Sequence, residues 1–146
     1  MILNGFEINN KNLESFENPV KLPGSIQGAG KNNFTRTVLD LKHSYKFEIF
    51  AIFEPRISGR KAALVISKLG FSNYFVVEAN GFSGGLWLLW NDARVKLKLI
   101  ADSKQAITPI IDVDIYLFVL TVVYASPVIT LRKKLWHYLD LIRGRL

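Results

Sequence analysis

Apolar and polar positions change period along the chain. Phe34, Val38, Leu41 and Tyr45 recur at helical spacing, which predicts a helix there with Asn32 or Asn33 as its cap. Residues 47–53 (FEIFAIF) form a nearly continuous apolar run. It is short, aromatic and β-branched, the pattern of a strand covered on both faces, and Pro55 ends it. Ser58 is placed to cap a second helix whose apolar face is Ala62, Val65, Ile66 and Leu69, with Gly70 closing it. From Phe71 the period becomes two. Residues 74–78 and 86–90 read as strands, the second introduced by Gly84-Gly85. In residues 94–100, Arg94, Lys96 and Lys98 alternate with Val95, Leu97 and Leu99, which predicts an antiparallel strand with one wet face. Residues 105–112 are a weaker strand, interrupted by Pro109. Residues 117–123 are again wholly apolar and are expected to lie beside residues 47–53 as neighbouring central strands. Ala125-Ser126-Pro127 turns the chain. Thr130 is expected to cap a last helix with Leu131, Leu135, Tyr138, Leu139 and Ile142 inward.

Residues 1–24 differ from this pattern. They are rich in Asn, Lys, Glu and Pro and read as a loosely ordered N-terminal arm, with one short strand at residues 2–8. Residues 25–146 then form one domain. Two fully apolar strands among alternating ones, interleaved with helices, predict a layered α/β fold with mixed sheets.

Composition narrows the possibilities. Of 146 residues, 49% are hydrophobic and 21% charged, too apolar for a disordered chain. No apolar run approaches the ~20 residues of a membrane span. The first residues also lack the basic-then-apolar pattern of a signal peptide, so an intracellular protein with no membrane partner is expected, the nucleus being one compartment open to it. The absence of cysteine excludes disulfides, thiolate metal sites and a cysteine nucleophile. Two histidines, His43 and His137, exclude a histidine-rich zinc site and leave a Ser-His-Asp triad unsupported. The net charge of +7 favours an anionic partner such as nucleic acid.

Several residues invite chemistry, each with a plainer alternative. Glu54 follows a buried strand directly. Ligands gather at strand carboxyl ends in layered α/β folds, so it is placed to hold a hard cation; otherwise it turns to solvent and pairs with Arg56. Tyr124 ends the second apolar strand, with its phenol either on a phosphate oxygen or simply in water. Asp112 and Asp114 share a face if both lie on a strand, or border a solvated turn. The glycine turn at residues 25–30 could offer N–H groups to phosphate, but it lacks both GxGxxG and the P-loop ending. Arg94, Lys96 and Lys98 on one strand face are candidate phosphate contacts. So are Arg132, Lys133, Lys134, Arg143 and Arg145, which bring residues 130–146 to 5 − 1 = +4. Either set is otherwise a solvated face. Trp87 and Trp90 sit on opposite strand faces and serve either a base stack or the core.

Four ordered segments carry a resemblance as a set. They are IFAIFEPRISG (49–59), KLGF (68–71), VEANGFSGGLWLLWND (77–92) and LTVVYASP (120–127), followed by a helix rich in leucine and arginine. Together they resemble the start of the endonuclease domain of plant non-LTR retrotransposons, a branch of the endonuclease/exonuclease/phosphatase superfamily. The likeness runs from about Ser25 to Arg143 and covers roughly the first half of such a domain. It implies a partial four-layer α/β sandwich and phosphodiester cleavage with a divalent cation, normally Mg²⁺. It also implies that Glu54 is the metal-binding glutamate and that Tyr124 helps hold the scissile phosphate. Ser25 stands where the family has its active-site asparagine, beside the metal, and Gln27 stands where it has an arginine. Arg56, Lys96, Lys98, Arg132 and Lys133 are then the expected nucleic-acid contacts, with DNA as the partner.

The family's Gly-Asp-Phe-Asn and Ser-Asp-His motifs, which supply the water-activating aspartate, the transition-state asparagine and the catalytic histidine, do not occur in these residues. Without a positioned water and a stabilised leaving oxygen, little of the reaction remains. The expectation is therefore a truncated, inactive relic of a retroelement endonuclease, with weak Mg²⁺ binding if any and with apolar surface free for self-association. The alternatives are a basic nucleic-acid-binding module without catalysis and a nuclease completed by a second chain.

Overall fold

A computed structural model describes residues 29–30, 33–45, 48–79 and 84–146, together with the backbone of 3–9 and 12–18. The elements run β1 (Leu3–Asn9), β2 (Asn12–Asn18), α1 (Phe34–Tyr45), β3 (Ile49–Phe53), α2 (Gly59–Ser67), β4 (Asn73–Val77), β5 (Leu86–Trp90), β6 (Val95–Ser103), β7 (Ala106–Val113), β8 (Tyr116–Val123) and α3 (Ile129–Arg145). Helices and sheets are thus combined in one α/β chain. The strands form two sheets, ordered β2-β1-β8-β7-β6 and β3-β5-β4.

The most apolar strand organises the smaller sheet. β5 (LWLLW) pairs with β3 on one side and β4 on the other. Its alternate residues enter two separate apolar layers. Trp87 and Leu89 pack with Phe50 and Ile52 of β3, Phe34 and Val38 of α1, Ala62 and Ile66 of α2, and Leu69. Leu86 and Leu88, with Ala51, face Ile107 of β7 and Val122 of β8. The two sheets therefore meet across the second layer, while α1 and α2 cover the far side of the small sheet. Trp87 packs edge-on to Phe34, with centroids 6.5 Å apart, and its indole N–H has no hydrogen-bond partner among the described residues.

Three sequence expectations change here. Among the described residues every strand pairing is antiparallel, so the expected mixed sheets are not observed there. A continuous apolar run reports that both faces are covered, and layered packing covers them whatever the strand direction. β3 is an edge strand of the small sheet and β8 is central in the large one, so the two are not neighbours in one sheet. They meet face to face instead, since Ile49, Phe53 and Leu120 all pack on the layer between the sheets. Finally, the N-terminal arm contributes a hairpin. Besides the expected first strand there is a second, β2, and β1 adds to the large sheet through Leu3↔Val122 to Glu7↔Phe118.

Pro109 lies inside the large sheet, in β7, and the reason is local. Leu99 pairs with Pro109 and Ala101 with Thr108, so Ile100 is an extra residue in β6. A bulge is where a strand tolerates a residue with no N–H. The turn from β7 to β8 is two residues long, with Asp114 at φ +54°. Asp114 is thus a hairpin-turn residue and does not share a strand face with Asp112.

α3 lies against the other face of the large sheet. Thr108 and Thr121, both buried, share a hydrogen bond of 3.1 Å, and Thr108 shares another of 2.6 Å with the Tyr138 hydroxyl. The helix begins after Val128, two residues before the expected cap Thr130. α2 begins after Ser58, but that side chain makes no capping bond; the Gly59 N–H donates to Glu78 Oε2 at 3.4 Å instead. At the other end Gly70 takes φ +72°, and Lys42 donates to the Leu69 and Gly70 carbonyls while lying 4.4 Å from the Phe71 ring centroid. Among the described residues no helix is long and apolar enough to cross a membrane.

Candidate functional site

Glu54 and Tyr124 leave different sheets and meet. Each follows directly on its strand, β3 or β8. The Tyr124 hydroxyl donates to Glu54 Oε1, and the Phe53 and Tyr124 rings pack with centroids 5.9 Å apart. The other carboxylate oxygen, Oε2, accepts from Arg56 Nη2 at 3.4 Å.

Local backbone geometry aims these groups. Glu54 and Arg56 flank buried Pro55 at φ +50° and +58°, a region costly to residues with a Cβ and common at functional sites. Two hydrogen bonds hold the loop in place. The Glu54 N–H donates to the Gly85 carbonyl at 3.2 Å, and the Ala29 N–H donates to the Pro55 carbonyl at 2.9 Å. Gly85 itself has φ +87°, and a Cβ there would stand 3.0 Å from Pro55 Cγ. The Gly84-Gly85 pair that introduces β5 is therefore also the seat of the Glu54 loop.

Tyr124 is held from below by Gln105, in the turn between β6 and β7. The Tyr124 N–H donates to the Gln105 carbonyl at 2.8 Å. The Gln105 amide accepts from Ser126 N–H at 2.8 Å and donates to the Leu131 carbonyl at 2.7 Å, tying the β8–α3 connection together. No spacing or motif in the sequence marks this glutamine.

Burial pushes the Tyr124 phenol up to about 12. The hydrogen bond to Glu54 and that carboxylate's charge act in the same direction, and Arg56 opposes them. Tyr124 is therefore a neutral donor at any ordinary pH. The Glu54 side chain is 20% exposed and Arg56 is 54% exposed, so their ion pair is worth only about 0–1 kcal/mol.

The remaining expected site residues lie elsewhere. Ser25 and Gln27 fall outside the described residues. Lys96 and Lys98 alternate with Leu97 and Leu99, which pack between the sheets, so the lysines point to the opposite side, the face that carries α3. Arg132 is committed to its own turn, donating to the Pro127 carbonyl at 2.8 Å and the Ser126 carbonyl at 3.4 Å. Lys133 and His137 are exposed on α3. The structure thus joins Glu54, Tyr124 and Arg56 and leaves the other basic residues on a separate face.

Comparison with protein families, curated proteins and solved structures finds no match. The site must be judged on its own geometry. Among the described residues no group of three or more acidic or histidine side chains could hold a metal ion. Glu54 is a single carboxylate with both oxygens already bonded within the chain. A Mg²⁺ site needs one or two carboxylates with free oxygens and open positions for water. The residues present do not make such a site unaided. What they do form is a phenol donor bonded to a carboxylate that also pairs with an exposed guanidinium.

Proposed function

We propose that the chain is an endonuclease/exonuclease/phosphatase-type domain portion that retains the phosphate-facing corner of that site and has no hydrolytic turnover by itself. The observation that carries this reading is the hydrogen bond from Tyr124 to Glu54 across two different sheets. The resemblance assigns both residues to one phosphodiester site, and they lie 70 positions apart in sequence. The succession of α1 and α2, small sheet, large sheet and α3 supports the reading of a partial four-layer sandwich.

Among the described residues no group of three or more acidic or histidine side chains comes together, and the family's aspartate, asparagine and histidine motifs do not occur in these residues; this motivates the lack of turnover. Any Mg²⁺ at Glu54 competes with Arg56 and binds weakly. Incubation of the pure protein with supercoiled plasmid and Mg²⁺ or Mn²⁺ should give no nicking above a protein-free control. Robust nicking that Glu54→Gln abolishes would overturn this reading in favour of a nuclease assembled from two chains. Such pairing has a candidate surface in exposed Ile115, Tyr116 and Leu117 at the β7–β8 turn, and light scattering against concentration tests it.

A second reading is favoured by the position of the charges. Lys96, Lys98 and Lys133 lie on the α3 side of the large sheet, so this side is a basic module that grips nucleic acid without cutting it. Its affinity should fall steeply with salt in a gel shift.

A further inference from the structure

The aromatic residue best exposed for stacking is not one of the tryptophans of the LWLLW strand. Trp87 is fully buried and Trp90 is half-buried, whereas Trp136 on α3 is 61% exposed. Trp136 is thus the most exposed aromatic side chain among the described residues, with a ring face open for stacking.

Its neighbours indicate which kind. Ile129, Lys133, Trp136, Asp140 and Arg143 follow at alternating steps of four and three, so they form one continuous stripe along the helix. All five are exposed, and the stripe is distinct from the one carrying buried Leu135 and Ile142. The indole is therefore bracketed by Lys133 and Arg143, with a single acid between. Residues 130–146 carry +4, and Lys96 and Lys98 project from the same face of the sheet. An uncharged apolar partner would gain nothing from this surround. A strand with unstacked bases satisfies both parts, since a base can lie on the indole while its phosphates meet the flanking cations. Duplex DNA offers phosphates but keeps its bases inside the stack.

We propose that the outer stripe of α3 is a single-stranded nucleic-acid site in which Trp136 is the stacking platform and Lys133 and Arg143 are the phosphate contacts. This rests on the basic-face reading above and deepens it by naming the strand state of the ligand.

The test uses the intact protein, an oligothymidylate of about 12 nucleotides and a duplex of the same length. Binding is followed by anisotropy of the labelled nucleic acid across a salt series. Trp136→Ala should weaken oligothymidylate binding about tenfold, the loss of one stacked base, while duplex affinity stays unchanged. Lys133→Gln and Arg143→Gln should weaken both ligands and lower the salt slope by about one each. Trp136 and both basic side chains are exposed, so these variants should keep the wild-type melting temperature, which is measured alongside. If both ligands bind and Trp136→Ala changes neither, or changes both equally, the stacking proposal is wrong while the basic-face reading survives. Failure of both ligands to bind at low salt overturns both readings, and binding of the duplex alone overturns the single-strand proposal while the basic-face reading survives. Binding to vesicles of anionic lipid without binding to the oligonucleotide would assign the stripe to a membrane surface and likewise overturn the proposal.

Discussion

Two tyrosine hydroxyls bond across the two seams of the large sheet, and they do different work. Tyr138, on α3, is bonded to the neutral, fully buried Thr108, which is bonded in turn to Thr121. Tyr124, at the end of β8, is bonded to the carboxylate of Glu54, which is partly open to water and shared with Arg56. Both phenols are pushed up chiefly by burial. For Tyr138 the Thr108 bond pulls the other way, whereas for Tyr124 the Glu54 bond adds to the rise. A neutral bond in a dry seam fixes how a helix sits on a sheet. A charged bond at a partly exposed seam leaves groups that water can reach, so its partners are less tightly committed to one another.

The largest expected effect comes from unseating the wet seam. Gly85→Ala places a Cβ at φ +87° and 3.0 Å from Pro55 Cγ, so the fold should lose more than about 1 kcal/mol in denaturant unfolding. The Tyr124 titration should fall toward its ordinary value as the Glu54 loop shifts, while that of Tyr138 stays in place. An unchanged stability would show that the loop is not held as described.

Next comes the direct contrast between the hydroxyls. Tyr138→Phe removes a bond inside a buried network and should cost about 1–2 kcal/mol. Tyr124→Phe should cost less, because water can reach Glu54 and replace the lost donor. Equal costs would erase the distinction between the seams.

Glu54→Gln sharpens the comparison without touching either aromatic ring. Removing the negative charge should lower the Tyr124 value from about 12, read as phenolate absorbance in an alkaline titration against Tyr124→Phe. The sign of the linkage follows from the direction of the shift. The folded value lies above the unfolded value of 10.0, so the associated stability is complete below 10 and is lost as pH rises toward 12. Glu54→Gln should narrow that window of alkaline loss and leave the Tyr138 contribution unaltered.

The smallest expected effect lies away from both seams, at the turn after β5. Asp92 is held below its ordinary value of 3.8, first by the Ser72 hydroxyl at 2.9 Å and then by Asn73. Its contribution is present above 3.8 and is lost as pH falls through the depressed value. Ser72→Ala should slightly flatten the acid limb of the melting-temperature profile and leave both tyrosine titrations as they were.

Much of the local architecture was legible in the chain. The alternation of Val95, Leu97 and Leu99 with Arg94, Lys96 and Lys98 marked β6 and its wet face. The spacing of Ala62, Val65, Ile66 and Leu69 marked the buried side of α2, and residues 86–90 were bounded as found. Glu54 and Tyr124 stood out because each ends an apolar strand. Periodicity and strand-end position are local properties, and local sterics and burial enforce them.

Only the tertiary structure decided which strands are partners and which side chains meet. Residues 47–53 and 117–123 show the same apolar continuity, yet one run is an edge strand and the other lies inside a different sheet. Continuity records coverage, and coverage does not specify a neighbour. Gln105 and Trp136 were silent in sequence, and Gly85 was legible only as part of the turn that introduces β5. Gln105 matters through carbonyl and amide partners up to 26 residues away, Gly85 through the close approach of Pro55, and Trp136 through the turn of a helix that leaves its stripe uncovered. A one-dimensional pattern fixes the period of each element and the face that must be dry. Long-range packing fixes what stands opposite that face, because many pairings bury the same residues and few of them also pair the buried donors and acceptors.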